Sequence, residues 1–237
     1  MAMKLLIISN STNLGESYLE HPGEAIRNFL GSKPLKALFF PYAAVTFSYE
    51  EYEKKVSERF RELGHDVISI HRFSDPVEAV RNASAIVVGG GNTWQLLKQI
   101  FANNLIDAVR KKVLEGTPYI GWSAGANVAC PSIRTTNDMP VCDPGSMSAF
   151  NLVPFQINPH YIDANPAGHA GETREQRIME FIELNPGLWI IGLREGTMLR
   201  IEKGRIMLSG PAKARIFRKG HQFLELGEDD DFSFLMS

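Results

Sequence analysis

The segment YIGWSAGAN, residues 119–127, joins an apolar strand-like run to a turn of small residues and the beginning of a helix. Gly121, Ser123 and Gly125 match the G-x-S-x-G pattern of a nucleophile elbow, where a serine lies on a strained strand-to-helix turn. Small neighbours let strand and helix approach closely, and the N–H groups at the helix N-terminus can stabilise an anionic intermediate. The same pattern also fits a glycine-rich turn in which Ser123 only caps the helix.

Apolar segments of strand length alternate with amphipathic helices up to the elbow. This alternation predicts an α/β fold with a doubly wound, mostly parallel sheet and right-handed crossovers. Residues 131–159 are rich in Pro, Asp, Asn and Ser, which predicts loops crossing the top of the sheet. A helix is expected from the capping box at Thr173, and the short apolar segments after Leu188 predict an antiparallel extension of the sheet.

The bulk composition is that of an ordinary globular protein, with 237 residues, 44% hydrophobic and 22% charged. We expect one domain over residues 1–237, ending in a solvated acidic tail from about residue 228 that could be disordered. The net charge of -2 gives no reason to expect nucleic acid or a membrane as partner. Only two cysteines occur, without metal-type spacing, which indicates a reduced, cytoplasmic protein with Cys130 as buried filler.

A serine nucleophile needs a base, and the base needs an orienting acid. His160, which ends the run FQINPH after the elbow, is the best candidate base, and His169 between glycines competes with it. Glu195 after a predicted strand and Asp138 in the loop region are the candidate acids. The order Ser, His, Glu differs from the order in α/β-hydrolases, so a routine hydrolase fold is not expected.

A glycine turn, residues 89–91, follows the fourth predicted strand. It could hold a phosphate, but it lacks the spacing of dinucleotide or P-loop motifs. Its backbone N–H groups could instead form an oxyanion hole, with Gly91 and Ala124 as the donors.

Five segments in this order resemble the peptidase E family of alpha-aspartyl dipeptidases: residues 89–93 (GGGNT), 121–126 (GWSAGA), 133–140 (IRTTNDMP), 157–160 (INPH) and 171–177 (GETREQR). The resemblance implies a flavodoxin-like sheet related to class I glutamine amidotransferases and a serine peptidase that uses no metal or other cofactor. It further implies that Ser123 is the nucleophile, His160 the base and Glu195 the orienting acid. The chain departs from the family pattern at Arg194, where proline is expected before the glutamate.

The resemblance implies small peptide substrates with a free N-terminal aspartate, which carry a carboxylate and an ammonium into one site. A guanidinium matches the carboxylate, so Arg134 and Arg174 are candidates, and Asp138 is then a candidate partner for the ammonium. Asn92, in the glycine-turn motif, is included among the candidate substrate-binding residues. The sequence leaves open whether the protein is a monomer or a homodimer.

Two alternatives stay open. A cyanophycinase-like hydrolase of β-aspartyl peptides would have the same elbow but a more open groove. A non-catalytic, amidotransferase-like binding module would carry a serine that merely replaces a lost cysteine.

Overall fold

The computed structural model describes residues 3–165, 168 and 170–236. Its strands are β1 (Lys4–Ile8), β2 (Lys36–Phe40), β3 (Asp66–Ser69), β4 (Ile86–Val88), β5 (Tyr119–Trp122), β6 (Gln156–Tyr161), β7 (Ile190–Arg194), β8 (Met198–Glu202), β9 (Arg205–Ser209), β10 (Ala214–Phe217) and β11 (Leu224–Leu226). Its α-helices are α1 (Gly23–Leu30), α2 (Tyr49–Glu62), α3 (Pro76–Arg81), α4 (Thr93–Ala102), α5 (Leu105–Leu114), α6 (Ala124–Ala129) and α7 (Arg174–Leu184). Short 3₁₀ helices cover Ile70–Arg72 and Ser233–Met236. Within the described part of the chain, no helix has the length and apolar character that crossing a membrane requires.

The central sheet has seven strands in the order β3-β2-β4-β5-β1-β8-β9. The strands from β3 to β1 in this order pair in parallel, and β8 and β9 add an antiparallel edge. This is the doubly wound, mostly parallel α/β sheet that the sequence predicts. Because the parallel strands end at one edge, the segments that follow β1, β2, β4 and β5 meet there, and ligand sites of such folds form at that edge.

Both faces of the sheet are covered, as strand β1 illustrates. Leu5 and Ile7 belong to the apolar core on one face, whereas Leu6 and Ile8 belong to the core on the other. All four side chains are buried, which is the pattern of a parallel strand between two layers of helices. The continuous apolar run of β1 in the sequence is explained by this two-sided burial.

A second sheet, in the order β11-β10-β7-β6, carries the remaining strands. The expected antiparallel extension of the first sheet is therefore only partly right, since β8 and β9 extend it while β7, β10 and β11 join β6. The expectation of loops throughout residues 131–159 is also wrong at its end, because β6 begins at Gln156 and pairs with β7 in parallel. Asn158 and Pro159 have the composition of a turn, but the ladder tolerates Pro159 because a bulge follows it.

The acidic tail carries apolar side chains that pack on the protein. Phe232 and Leu235 are buried and belong to the larger apolar core. The acidic residues around them predict a solvated end, and the two buried side chains fix part of it.

Candidate active site

Ser123 lies between β5 and α6 in a backbone conformation that L-residues rarely adopt, with φ 52° and ψ −109°. Its backbone N–H donates to the carbonyl of Ile8 in β1 at 3.1 Å, which fixes the turn to the sheet. A side chain at Gly121 would overlap the carbonyl of Gly125, and one at Gly125 would overlap the carbonyl of Val88. The two glycines are thus required by the close approach of strand and helix.

The side chains of Ser123, His160 and Glu195 form a continuous hydrogen-bonded series. The Nε2 atom of His160 is 3.0 Å from Oγ of Ser123, and its Nδ1 atom is 2.7 Å from Oε1 of Glu195. His160 lies near the end of β6, and Glu195 follows β7, so the parallel pairing of these strands places the two residues at the same sheet edge. This geometry allows the imidazole to accept the serine proton while the carboxylate stabilises the imidazolium.

The backbone of His160 is held in the left-handed region, with φ 54°, at the bulge that interrupts β6. Its N–H donates to Oγ of Ser9 at 2.9 Å, and the Ser9 hydroxyl donates to the carbonyl of Leu193 at 2.7 Å. Ser9 is fully buried and directly follows β1. One hydroxyl therefore connects the central sheet to β6 and β7 at the point where His160 and Glu195 emerge.

The turn that carries Glu195 has two further anchors. The N–H of Gly196 donates to Oδ1 of the buried Asn10 at 2.7 Å. Arg194 donates to Asp163 at 2.9 Å and to Glu225 at 2.8 Å, so its guanidinium is paired on both sides. These hydrogen bonds raise the pKa of Arg194 and lower the pKa of Asp163. The residue that departs from the family pattern is thus engaged in an ion-pair network rather than with Glu195.

The glycine turn after β4 lies directly beside Ser123. A Cβ atom at Gly90 would be 3.0 Å from Cβ of Ser123, and one at Gly91, which has φ 131°, would overlap the carbonyl of Ala43. Ala124 is the first residue of α6, so its N–H has no acceptor within the helix. The two predicted oxyanion donors, Gly91 and Ala124, therefore flank the serine on neighbouring elements.

Asp138 lies between the glycine turn and β6. Its Oδ2 atom accepts hydrogen bonds from N and Oγ1 of Thr93 at 2.8 and 2.5 Å. The neighbouring Asn137 donates to the carbonyl of Pro159 at 2.7 Å, which ties the same loop to the residue before His160. Asp138 is therefore bound to the α4 N-terminus and is not the acid that contacts His160.

Arg174, at the beginning of α7, is half-buried and interacts electrostatically with Asp138. Burial and the nearby Arg177 lower its pKa, while Asp138 opposes that change. Its guanidinium makes no hydrogen bond or ion pair to another residue in the described ranges. A partly desolvated guanidinium without a direct acidic partner is a favourable place for an anion.

The other two predicted substrate contacts have structural partners. Arg134 donates to Oδ1 of Asn185 at 3.0 Å and lies 5.0 Å from the ring of Phe181, so α7 holds it through its last turn. The amide of Asn92 accepts from Gln95 at 3.0 Å and donates to the carbonyl of Met139 at 2.9 Å. Asn92 therefore caps α4, and of the two predicted arginines only Arg174 has a guanidinium free of direct partners among described residues.

A cleft of about 460 Å³ opens beside Ser123 and His160. Sequence reasoning missed most of its wall, which is formed by Tyr18, Phe47, Glu51, Tyr52, Lys55 and Trp122. Burial raises the pKa of Tyr52 to about 12, so its phenol stays protonated and donates to the carbonyl of Gly90 at 2.9 Å. Most of these residues could have been found from the sequence, because in a parallel sheet the segments that follow β1 and β2 reach the same edge as Ser123.

Cys130 and His169 are the two remaining candidates from the sequence. Cys130 is fully buried, and burial raises the pKa of its thiol to about 12, so it is not a nucleophile at neutral pH. His169, the competing base, lies outside the described residues. Among the described residues, no group of three His, Cys, Asp or Glu side chains is arranged to hold a metal ion.

Comparison with known proteins defines the class. The sequence pattern of Peptidase family S51 matches residues 5–209, and the chain belongs to this family. It is therefore a peptidase. Two relatives carry the name Peptidase E: one from Nostoc sp. is 49% identical over 236 residues, covering 100% of this chain and 98% of the relative, and one from Salmonella paratyphi A is 47% identical over 224 residues, covering 94% and 97%.

The fold is also found in a solved structure. The crystal structure of a peptidase from an acI-B1 Actinobacterium superposes with a TM-score of 0.67 and covers 97% of each chain at 20% identity. At that identity the likeness shows the fold alone.

Proposed function

We propose that the protein is a serine dipeptidase that hydrolyses dipeptides with a free N-terminal aspartate. The observation that carries this proposal is the series of contacts from Glu195 through His160 to Ser123, at 2.7 and 3.0 Å. The membership in Peptidase family S51 gives the reaction class, and the geometry supports a hydroxyl nucleophile. The strained turn of Ser123 supports it further, because such strain is concentrated at functional sites.

The proposed reaction proceeds through an acyl-enzyme. Oγ of Ser123 attacks the scissile carbonyl while Nε2 of His160 accepts its proton, and Oε1 of Glu195 stabilises the imidazolium at Nδ1. The His160 proton then passes to the leaving amine as the C–N bond breaks, which leaves an aspartyl ester on Ser123. Water, deprotonated by His160, attacks the ester, and the serine hydroxyl is restored as aspartate leaves.

Gly91 and Ala124 are the proposed donors to the oxyanion of the tetrahedral intermediates. The proximity of the glycine turn to Ser123 supports Gly91, and the helix start supports Ala124. Each such donor is worth on the order of 10²–10³ in kcat in other acyl-transfer enzymes.

The proposed aspartate subsite consists of Arg174 and Asp138. The guanidinium of Arg174 would bind the side-chain carboxylate of the substrate, and burial of this guanidinium strengthens its attraction for an anion. Oδ1 of Asp138, which receives no hydrogen bond from a described residue, would accept one from the substrate ammonium. Thr93, two residues after Gly91, holds Asp138 next to the glycine turn, and the electrostatic interaction between Arg174 and Asp138 supports a single subsite for both charges of an N-terminal aspartate.

A substrate panel tests this proposal. The purified protein should hydrolyse Asp-Leu, and it should hydrolyse Asn-Leu at least 100-fold less efficiently, since the neutral amide leaves the Arg174 guanidinium unpaired, an effect on the order of 3 kcal/mol. The Ser123→Ala variant should lose the activity by several decades while the protein stays folded. Equal turnover of Asp-Leu and Ala-Leu would refute the aspartate subsite. Faster turnover of β-Asp-Arg than of Asp-Leu would favour a cyanophycinase-like activity instead, and no turnover of any peptide would favour a binding module.

We also propose a reducing compartment, the cytoplasm, as the site of action. Cys130 and Cys142 are both free, and a chain with unpaired cysteines and no disulfide is typical of that environment.

A further inference from the structure

The cleft beside Ser123 contains a lysine whose charge is not used by the proposed reaction. Lys55, on α2, lines the cleft, and its ammonium lies 4.0 Å from the centroid of the Tyr18 ring. It makes no ion pair with a carboxylate in the part of the chain that is described. Glu51, one turn earlier on the same helix, accepts a hydrogen bond from the N–H of Ser48 at 2.8 Å as part of a capping box and so is held at the helix start.

The wall around this lysine is aromatic. Tyr18 packs edge-on against Trp122 with centroids 6.3 Å apart, and Phe47 packs edge-on against Tyr52 at 5.2 Å. Such rings supply rigid apolar surface for a side chain. An ammonium at the rim of an apolar cleft is suited to a ligand that has both an apolar side chain and a carboxylate.

The aromatic wall is fixed relative to the nucleophile. Trp122 directly precedes Ser123, and the hydroxyl of Tyr52 donates to the carbonyl of Gly90 at 2.9 Å. Arg174 and Asp138 do not line this cleft. The proposed aspartate subsite and the aromatic cleft therefore have different lining residues.

We infer that Lys55 binds the free α-carboxylate of the residue that leaves, with that residue's apolar side chain against Phe47 and Tyr18. This inference rests on the proposed dipeptidase function and deepens it. In a dipeptide the terminal carboxylate lies about one residue length, roughly 3.8 Å, beyond the scissile bond. The flexible four-carbon stem of lysine lets the ammonium move from the Tyr18 ring to that carboxylate. Lys55 would then select dipeptides that end in a free carboxylate over amides and longer peptides.

The test compares Asp-Leu with Asp-Leu amide, which differs only in the terminal charge. Wild-type protein should have the lower KM for the free acid. Lys55→Ala should raise the KM for Asp-Leu about two- to five-fold, as expected for loss of a charge-assisted contact from an exposed lysine, and leave the kinetics of the amide unchanged. Lys55→Glu should raise the KM for Asp-Leu further, because it places like charges together.

Lys54→Ala is the matched control, because Lys54, like Lys55, is exposed on α2 but does not line the cleft. It should leave both substrates unaffected. Unchanged kinetics of Lys55→Ala, or an equal rise in KM for the acid and the amide, would overturn the inference about Lys55. The dipeptidase proposal would still hold in that case, provided that the wild-type protein cleaves both substrates. Failure of the wild-type protein to cleave either substrate would instead refute the proposed function and the inference with it.

Discussion

Removal of the Ser9 hydroxyl tests whether this group positions His160 for catalysis in addition to stabilising the fold. In Ser9→Ala the N–H of His160 and the carbonyl of Leu193 lose their partner, and both contacts, at 2.9 and 2.7 Å, involve a fully buried serine. A buried group left unpaired costs about 1–3 kcal/mol, so we expect a loss of roughly 2–4 kcal/mol in the free energy of unfolding. A domain of ordinary stability, about 5–15 kcal/mol, stays folded after that loss.

The effect on catalysis follows from the backbone of His160. Its φ of 54° is a conformation that costs about 1–2 kcal/mol for an L-residue, and the hydrogen bond to Ser9 helps to hold it. If the backbone of His160 relaxes, its imidazole moves away from the Ser123 hydroxyl. A displacement of about 1 Å costs on the order of 100-fold in rate. We therefore expect kcat for Asp-Leu to fall about 10- to 100-fold with little change in KM.

Steady-state kinetics and urea unfolding of the same preparations provide the assay. Ser69→Ala is the matched control, because Ser69 is also fully buried and its hydroxyl is 2.6 Å from Nδ1 of His71, in the edge strand β3 and outside the cleft. The control should lose stability but keep its kcat. Full kcat in Ser9→Ala, or a comparable fall in Ser69→Ala, would contradict the positioning argument.

Three further predictions concern single groups. Glu195→Gln should lower kcat about 10²- to 10³-fold. This loss is smaller than in a buried triad, because the Glu195 side chain is 54% exposed and solvent screens part of its charge. A kcat within a few-fold of wild type would remove Glu195 from the mechanism. Iodoacetamide at pH 8 should label Cys142 and spare Cys130 in the native protein, because burial raises the pKa of Cys130 to about 12. Peptide mass analysis reads the labelling, and labelling of both cysteines in the native protein would contradict the burial of Cys130. His65 is buried, and burial lowers its pKa, so the unfolded chain binds a proton at higher pH than the folded one. The free energy of unfolding should therefore fall as the pH drops below about 6.5. His65→Leu should show a smaller fall in urea midpoint between pH 7.5 and 5.5 than the wild-type protein. An equal fall in variant and wild type would exclude His65 as a source of the pH dependence.

The elbow could be predicted from the sequence because its requirements are local. Gly121 and Gly125 are needed wherever a strand and a helix approach so closely, and their spacing around Ser123 is visible in a few residues. The alternation of strands and helices likewise predicts the parallel sheet, because each apolar run reflects burial on both faces. These features depend on short segments of chain.

The rest of the site depends on contacts between distant segments. His160 and Glu195 meet because β6 pairs with β7, and the turn-like composition of residues 158–159 hides β6. The pattern of α2 marks Lys55 as exposed but cannot show that Tyr18 and the elbow face it. Arg134 and Arg174 both lie in polar segments after the elbow, and the sequence cannot show that Arg134 has Asn185 and Phe181 as tertiary partners.

The proposed mechanism depends on acylation of Ser123 by the substrate with His160 as the base. Rapid acid quench during turnover of aspartyl p-nitroanilide, followed by mass spectrometry of the peptide that contains residues 119–127, measures this directly. We expect an aspartyl ester on Ser123 in the wild-type protein and none in His160→Ala. Steady turnover with no ester at Ser123, or an ester on another residue, would contradict it.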